Sequence, residues 1–523
     1  MSDLPIMVAA AFVLGIAARF VRLPPLVGFL IAGFVLRGAG FESSEALQKI
    51  ADLGVTLLLF TIGLKLELKT LLKPVVWAGA TIHMALFVGL FSVLFYVLGV
   101  GVFRGIDFSD AALIAFALSF SSTVFAVKTF EERGQSGSLA ARTAIGTLIM
   151  QDVIAVVFLA ASKGTPPSAW ALALLLLIPA RRVFKWLMEQ SGHGELLILL
   201  GFMMTFAGYA LFEWVNLKGD LGALVMGMLV ADHPKAREMA KSMLGFKDIM
   251  LVGFFLTIGL RGTPSLADLG VALFLVALIP LKVALYFGVM TRFNLRARTS
   301  LLASLALANY SEFGLIVGAL GVKMGWLTDQ WLVIIAVSVA VTFIAASPLN
   351  AVANHLYDRY REFWKRFQTV NRLPDEQPVS VGTAEVVVIG MGGLGTAAYD
   401  TLAKDFGIQI CGIDNDRTTV ARHTELGRNV IAGDPTDLDF WDRVSREHAV
   451  KVAMLALPNH QANLAAAKEI RKFEARRGDV LLTATARYKD QIAELEEHGV
   501  DEAFDLSAEA GQGYAHLVRK RLP

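Results

Sequence analysis

The chain contains a single cysteine, Cys411, in 523 residues. No disulfide can form within it, and its soluble part suits a reducing compartment. Charge is scarce: Asp, Glu, Lys and Arg make up 18%, and the net charge is +2. No global basic field is present to attract nucleic acid. The opening residues, MSDLPIMVAA, have no basic n-region, so they read as the start of a first span rather than a cleaved signal. What abounds is apolar. Hydrophobic residues make up 55% and the mean hydropathy is +0.57, above an ordinary soluble composition. The charges concentrate after residue 350. The expected organisation is a transmembrane domain over 1–350, a cytoplasmic linker over 351–383, a Rossmann-like α/β domain over 384–505 and a C-terminal tail over 506–523.

Apolar runs broken by charged or Pro/Gly loops predict thirteen spans. They cover roughly 4–21, 24–41, 51–65, 75–100, 109–128, 143–161, 168–184, 195–215, 219–232, 249–261, 266–291, 299–320 and 331–350. Several are shorter than the ~20 residues of a straight span, as in transporters that bind their cargo with broken helices. One set of alternate loops carries eighteen Lys and Arg, the other six. The positive-inside rule puts the richer set in the cytoplasm, the N-terminus outside and the C-terminal domain inside. A bacterial inner membrane is the expected location.

The membrane part repeats itself. Gly28-Phe-Leu-Ile-Ala-Gly33 resembles Gly222-Ala-Leu-Val-Met-Gly227, and Leu59-Phe-Thr-Ile-Gly-Leu-Lys65 resembles Phe255-Leu-Thr-Ile-Gly-Leu-Arg261. Ala117-Leu-Ser-Phe-Ser-Ser122 resembles Ala306-Leu-Ala-Asn-Tyr-Ser311. Each pair lies seven predicted spans apart, so the copies run in opposite directions. An inverted-topology repeat is the architecture of many secondary transporters.

Asp152, in the sixth run TAIGTLIMQDVIAVVFLAA, is the strongest site candidate. A carboxylate at the centre of a membrane helix costs roughly 2.5–3.5 kcal/mol to insert. Desolvation disfavours the ionised form of a carboxyl, so such a group can titrate near neutral pH. Protonated, it holds no cation; ionised, it is an oxygen ligand for one. Proton and monovalent cation then compete for one group, which suffices for antiport. The structural alternative is an Asp that pairs with Lys282 or caps a broken helix. Gln151 reads as a ligand or a hydrogen-bond partner of the site. Ser122 and Thr123, with Ser119 and Ser121, read as hydroxyls at a helix break, or as packing hydroxyls. Asn309, Ser311 and Glu312 mark the equivalent place in the second repeat. Glu312 is a second ion ligand or a partner for a broken-helix end. Lys282 either balances Asp152 or stabilises the helix crossing. His83 and Glu213 fall near predicted membrane edges and read as structural.

In the soluble part, Glu385-Val-Val-Val-Ile-Gly390 reads as a buried strand. It runs into Gly390-Met-Gly-Gly-Leu-Gly395 and a helical stretch. Gly390, Gly392 and Gly395 thus form GxGxxG in its required context, where glycines let backbone approach a phosphate at a helix N-terminus. A second strand over 408–413 ends at Asp414, which suits a ribose hydroxyl and disfavours a 2′-phosphate. Further strands fit 429–432, 451–457 and 479–484. Asn459 and Arg487 read either as ligand contacts or as surface polar residues.

The whole chain resembles the Kef-type potassium/proton antiporters of the monovalent cation:proton antiporter-2 family. The marks are Leu23-Pro-Pro-Leu-Val-Gly-Phe-Leu-Ile-Ala-Gly33, Leu53-Gly-Val-Thr-Leu-Leu-Leu-Phe60, Gln151-Asp152, Leu221-Gly-Ala-Leu-Val-Met-Gly227, Phe254-Phe255 with Ile258-Gly259, and Ser311-Glu312-Phe313. The soluble part resembles the family's KTN or RCK domain through Gly390, Gly392, Gly395, Ile413-Asp414, Gly433-Asp434 and Ala486-Arg487. The resemblance implies Asp152 as the ion-binding carboxylate and two crossover helices that move against a dimerisation domain in a homodimer. It implies AMP or NAD(H) as regulatory ligand with Asp434 among its contacts, glutathione control in some relatives, and an ancillary subunit as a possible partner. The chain departs from the family pattern at Ser311, where a glycine is common, and at Gly393, where the phosphate loop often has arginine.

The expected activity is potassium efflux coupled to proton uptake, with membrane lipid, cations and protons as the immediate partners. Sodium/proton exchange on the same fold and a ligand-gated channel are the alternatives. A membrane-anchored dehydrogenase would need an acid/base domain after the nucleotide fold, and only 18 residues follow Asp505.

Overall fold

The computed structural model describes residues 4–21, 25–65, 73–99, 106–162, 168–217, 219–373, 376, 381–437, 440–441, 450–457, 459–474 and 480–519. Leu23 and Pro24, singled out above, lie outside them, as do Arg22, Lys69, Arg104, Lys163 and Lys218 among the loop cations counted above. The chain divides into two compact units. The first comprises 1–126, 143–293 and 300–367; the second comprises 127–142, 294–299 and 368–523.

The described part of 4–351 is helical, and the parts of α6 after 126, of α7 before 143 and of α14 before 300 fall in the second unit. The elements include α1 (Leu4–Phe20), α2 (Pro25–Gly38), α3 (Glu45–Lys65), α4 (Pro74–Gly99), α5 (Phe108–Ser119), α6 (Thr123–Glu132) and α7 (Leu139–Ala161). A 3-10 segment (Ala169–Leu176) leads into α8 (Leu177–Gln190), α9 (Glu195–Trp214), α10 (Gly219–Val230) and α11 (Ala236–Leu260). Then come α12 (Leu266–Ala277), α13 (Ile279–Arg292), α14 (Ala297–Ala306), α15 (Glu312–Lys323) and α16 (Asp329–Ala351). All thirteen predicted runs coincide with a helix or a helix pair. Length and composition qualify eight helical stretches among the described residues as membrane-crossing; Leu4–Phe20, Pro25–Gly38 and Gly219–Val230 are shorter apolar helices. The fifth run is two helices with a break at Phe120–Ser122, and the twelfth is two helices with a break at Leu307–Ser311. Large apolar side chains remain exposed along α1, including Phe12, Val13 and Phe20, as expected where the surrounding solvent is lipid.

Two glycine contacts show the repeat in three dimensions. A Cβ on Gly33 of α2 would lie 2.7 Å from the Cα of Gly259 of α11. A Cβ on Gly227 of α10 would lie 3.0 Å from the carbonyl carbon of Gly63 of α3 and 2.4 Å from the Phe60 oxygen. Gly33 corresponds to Gly227, and Gly63 to Gly259, in the sequence repeat. The same backbone-to-backbone contact is therefore made twice, with the roles of the halves exchanged. Small residues at such crossings let membrane helices gain packing energy where no hydrophobic drive separates helix from lipid.

The segment expected as a linker carries two short helices, α17 (Ala353–Arg359) and α18 (Arg361–Lys365). In the second unit six strands form one parallel sheet: β1 (Val386–Ile389), β2 (Ile410–Asp414), β3 (Val430–Ala432), β4 (Val452–Leu455), β5 (Leu481–Ala486) and β6 (Glu502–Asp505). Their spatial order is β3-β2-β1-β4-β5-β6. The first five match the predicted strands; β6 was not anticipated, because GVDEAFD has little apolar content. Helices α19 (Gly393–Phe406), α20 (Arg417–Glu425), α21 (His460–Glu474) and α22 (Lys489–Glu497) follow β1, β2, β4 and β5. The residues expected as a tail begin a further helix, α23 (Leu506–Arg519).

A Gly227→Leu substitution forces α10 away from α3 and is expected to cost about 1–3 kcal/mol through overpacking. Gly79, whose Cβ would meet nothing within 4 Å, is the control. Thermal unfolding in detergent should drop for Gly227→Leu and hold for Gly79→Leu; equal behaviour would remove the packing role.

Candidate functional site

The two helix breaks of the first unit meet. The Ser122 N–H donates to Asn309 Oδ1 at 2.6 Å, and Ser121 Oγ donates to the Leu307 carbonyl at 2.9 Å. Lys282, on α13 and fully buried, donates through Nζ to the carbonyls of Leu118, Phe120 and Asn309 at 3.0, 2.7 and 2.8 Å. An ammonium has three protons, and three carbonyls are in reach. These are the carbonyl ends of half-helices α5 and α14, where the helix dipole leaves negative partial charge. Phe120 and Asn309 are also equivalent positions of the repeat, so one lysine serves both halves. Of the two readings of Lys282, this geometry favours stabilisation of the crossing.

Gln151 closes the first break from α7. Its Oε1 accepts from the Ser121 N–H at 3.0 Å, and its Nε2 donates to the Ser119 carbonyl at 3.2 Å and the Tyr286 hydroxyl at 2.6 Å. The amide has both polarities, which a break between a carbonyl end and an N–H end demands. Asp152 is the next residue along α7 and only 3% exposed. Thr123 opens α6 and is half-buried. Ser122 is buried, and its Oγ accepts from the Phe125 N–H at 3.4 Å. Glu312 opens α15, is 7% exposed, and stands behind Ser311, whose Oγ accepts from the Phe313 N–H at 3.1 Å. A carboxylate there faces the positive end of a half-helix.

Two residues escaped sequence reasoning. His83 was expected at a membrane edge, but it is fully buried and stacks on Tyr286 at a ring-centroid distance of 3.3 Å. Tyr286 was not singled out, although it holds Gln151. The only signal for either was a lone polar ring in an apolar run, which also describes many packed side chains. Glu213, read as structural, accepts from the Gly219 N–H in the turn after α9.

The second unit holds a cavity of about 850 Å³ at the carboxyl ends of the strands. It lies beside the switch point between β1 and β4, where doubly wound sheets bind ligands. Gly390, Gly392, Asp414, Asp434 and Arg487 all line it, as does Asn459. Gly390 has φ +96, and a Cβ on Gly395 would lie 1.8 Å from the Gly390 oxygen. Only glycine allows α19 to start so close to β1. The Asp414 carboxylate accepts from the N–H groups of Met391 and Asp416, both at 2.8 Å. Its orientation at the end of β2 is thereby held before any ligand arrives. Asp434 Oδ1 accepts from the Thr436 N–H and hydroxyl. Arg487 is exposed on the rim.

Charges near the ends of β2 and β3 are arranged by pairing. Arg296 bonds both Glu376 and Asp437, and Arg298 donates to the Thr436 carbonyl at 2.9 Å. Burial raises the Asp416 carboxyl, but hydrogen bonds from Thr418 and Thr419 outweigh it and hold the group below the usual carboxylate range. Asp416 is thus an ionised cap on α20, and it occupies that helix's N-terminus. Burial, with repulsion from Arg298, brings the Arg133 guanidinium down to about 10, which still leaves it charged at neutral pH.

Removing the Asn309 side chain leaves the buried Ser122 N–H without its acceptor, a loss of about 1–3 kcal/mol. Asn309→Ala should lower the unfolding temperature of the whole protein in detergent; an unchanged transition would mean that water or another group takes the acceptor's place.

Residues 7–351 match the family model for the transmembrane sodium/hydrogen exchanger, and residues 386–505 match the TrkA-N domain. The chain is 26% identical to the glutathione-regulated potassium-efflux system protein KefC of Salmonella schwarzengrund, over 96% of this chain and 83% of that protein. It is 28% identical to the putative cation/proton antiporter YbaL of Escherichia coli, over 94% of this chain and 92% of that protein. The sodium proton antiporter MjNhaP1 of Methanocaldococcus jannaschii aligns over 68% of this chain and 98% of its own, at 15% identity and a TM-score of 0.49.

Proposed function

The chain belongs to the sodium/hydrogen exchanger family, and on that premise we propose that it exchanges potassium for protons at Asp152, gated by an adenine nucleotide bound in the second unit. It is a multi-pass membrane cation/proton antiporter followed by a TrkA-N domain. Its relatives are transporters, not enzymes.

The burial of Asp152 beside Gln151, at the crossing of two broken helices, carries the choice of site. With Lys282 engaged by three carbonyls, Asp152 is the group whose charge changes with the cargo. In the proton-loaded state its carboxyl is neutral. When it ionises, its oxygens, with the hydroxyls of Ser122 and Thr123, replace part of the cation's hydration shell. Glu312 adds negative charge at the start of α15. One carboxylate that cannot hold both ligands couples their movements in opposite directions. KefC is named for potassium efflux, which supports potassium; sodium is the alternative that the family model's name carries. A channel is disfavoured, because conduction needs no titrating group at the crossing.

The regulatory reading rests on the cavity lined by Gly390, Gly392, Asp414, Asp434 and Arg487. Its volume, about 850 Å³, lies in the range of small-molecule sites and has room for AMP or NAD(H). Asp414 suits two free ribose hydroxyls. Glutathione enters through the name of KefC alone. The reading includes a homodimer, since two-fold symmetry is the commonest assembly. It also includes an inner-membrane location with the N-terminus outside and the second unit in the cytoplasm.

The test is proton movement in proteoliposomes, read by an internal pH dye under potassium or sodium gradients, with AMP, NADH or glutathione present in turn. Wild type should give a potassium-driven signal, and Asp152→Asn should abolish it while still inserting. Wild-type rates in that variant would remove Asp152 from the mechanism, and a larger sodium signal would reassign the cargo. Calorimetry on the full chain should show nucleotide binding weakened by Asp414→Ala, by about 1–3 kcal/mol for a lost hydrogen bond to a charged group. Unchanged affinity would move the ribose contact elsewhere.

A further inference from the structure

The nucleotide cavity has a wall that does not come from the Rossmann motif. Gly134, Gln135, Ser136, Gly137 and Ser138 all line it. In the chain these residues join α6 to α7, the helix that carries Gln151 and Asp152.

Two glycines seat this loop against opposite lips of the cavity. Gly134 has φ +66, and a Cβ on it would lie 2.4 Å from the Gln461 carbonyl oxygen. Gln461 is in the first turn of α21, behind β4. A Cβ on Gly137 would lie 2.2 Å from Asn415 Nδ2. Asn415 directly follows Asp414, the residue read as the ribose contact. The loop thus reaches from the end of β2 to the start of α21. Its shape is set internally: the Gln135 N–H donates to the Phe130 carbonyl at 2.8 Å, and the Ser138 N–H to the Gln135 carbonyl at 2.9 Å. Ser138 Oγ accepts from the Ala141 N–H at 3.1 Å, which caps the start of α7. Ser136 is exposed, and its hydroxyl has no hydrogen-bond partner among the described residues.

We propose that this loop is a contact segment of the nucleotide site, and that Ser136 hydrogen-bonds the ribose or phosphate of a bound adenine nucleotide. The proposal rests on the nucleotide reading given above and adds the segment through which occupancy is sensed. A ligand that touches Asp414 and the loop together binds more tightly when the loop is docked, and so shifts the population toward that state. The loop is continuous with the capped first turn of α7. Docking therefore fixes the start of the helix whose later residues are Gln151 and Asp152.

The single cysteine of the chain makes the test clean. Cys411 is fully buried, so Ser136→Cys places the one accessible thiol at the cavity wall. On the purified full chain, maleimide alkylation is timed with and without saturating AMP or NADH, and binding is measured by calorimetry on the same sample. Bound nucleotide should slow alkylation about tenfold or more, the protection expected of a strongly coupled contact. A rate unchanged by a nucleotide that calorimetry shows to be bound overturns the loop contact and leaves the nucleotide reading intact. Binding of neither ligand by the wild type overturns both. Gly137→Val, which pushes the loop off Asn415, supplies a second measurement. It should weaken nucleotide affinity about tenfold, and unchanged affinity again overturns the proposal.

Discussion

A membrane interior offers no water to a broken helix, so every backbone group freed by a break must find a partner in the protein. The first unit is organised around that demand. Its two breaks expose carbonyl ends on α5 and α14 and N–H ends on α6 and α15. Lys282 answers three carbonyls at once. Asn309 and Gln151 answer the N–H groups of Ser122 and Ser121. Residue types follow function here: an ammonium for carbonyls, amides where both polarities meet. Remove that set and the backbone groups of both breaks lose their partners.

The crossing also keeps the buried ionisable groups on separate helices. Lys282, on α13, is engaged by three backbone oxygens of the breaks. Asp152 lies on α7, next to the Gln151 that closes the first break. Gly33 against Gly259, and Gly227 against Gly63, bring the backbones of α2, α3, α10 and α11 into close contact, and Thr56 of α3 donates to Asp220 of α10. These four helices carry none of the site residues, which leaves the polar crossing to another set.

In the second unit the same logic appears on a smaller scale. Asp414 is oriented by two backbone N–H groups before any ligand arrives. Asp416 occupies the start of α20, so that helix offers its dipole to its own cap. The start of α19, approached through Gly392, is left open at the cavity. Of the two helix starts after β1 and β2, only that of α20 is closed by its own side-chain cap. The paired arginines Arg296 and Arg298 hold 294–299 to the residues after β3 through Asp437 and Thr436.

Much of this was legible in the residues alone. Apolar runs gave the helices, the GxGxxG context gave β1 and α19, and three short resemblances gave the inverted repeat. Costly residue types do not hide: a carboxylate in a membrane-length apolar run must have a reason. Asp152, Gln151, Lys282 and the polar residues of the two breaks were therefore all visible. What sequence could not supply was pairing across the chain. Lys282 had two readings because its partners lie 164 and 27 residues away, and only the fold states which carbonyls it meets. His83 and Tyr286 looked like packing because stacking between separate helices leaves no periodic trace. The loop at 134–138 reads as an ordinary Gly/Ser connection, and β6 as a polar turn. Local chemistry is written in sequence because insertion and propensity act on neighbours. Contacts between distant segments are decided by tertiary structure, because burial and hydrogen bonding act on whatever the fold brings together.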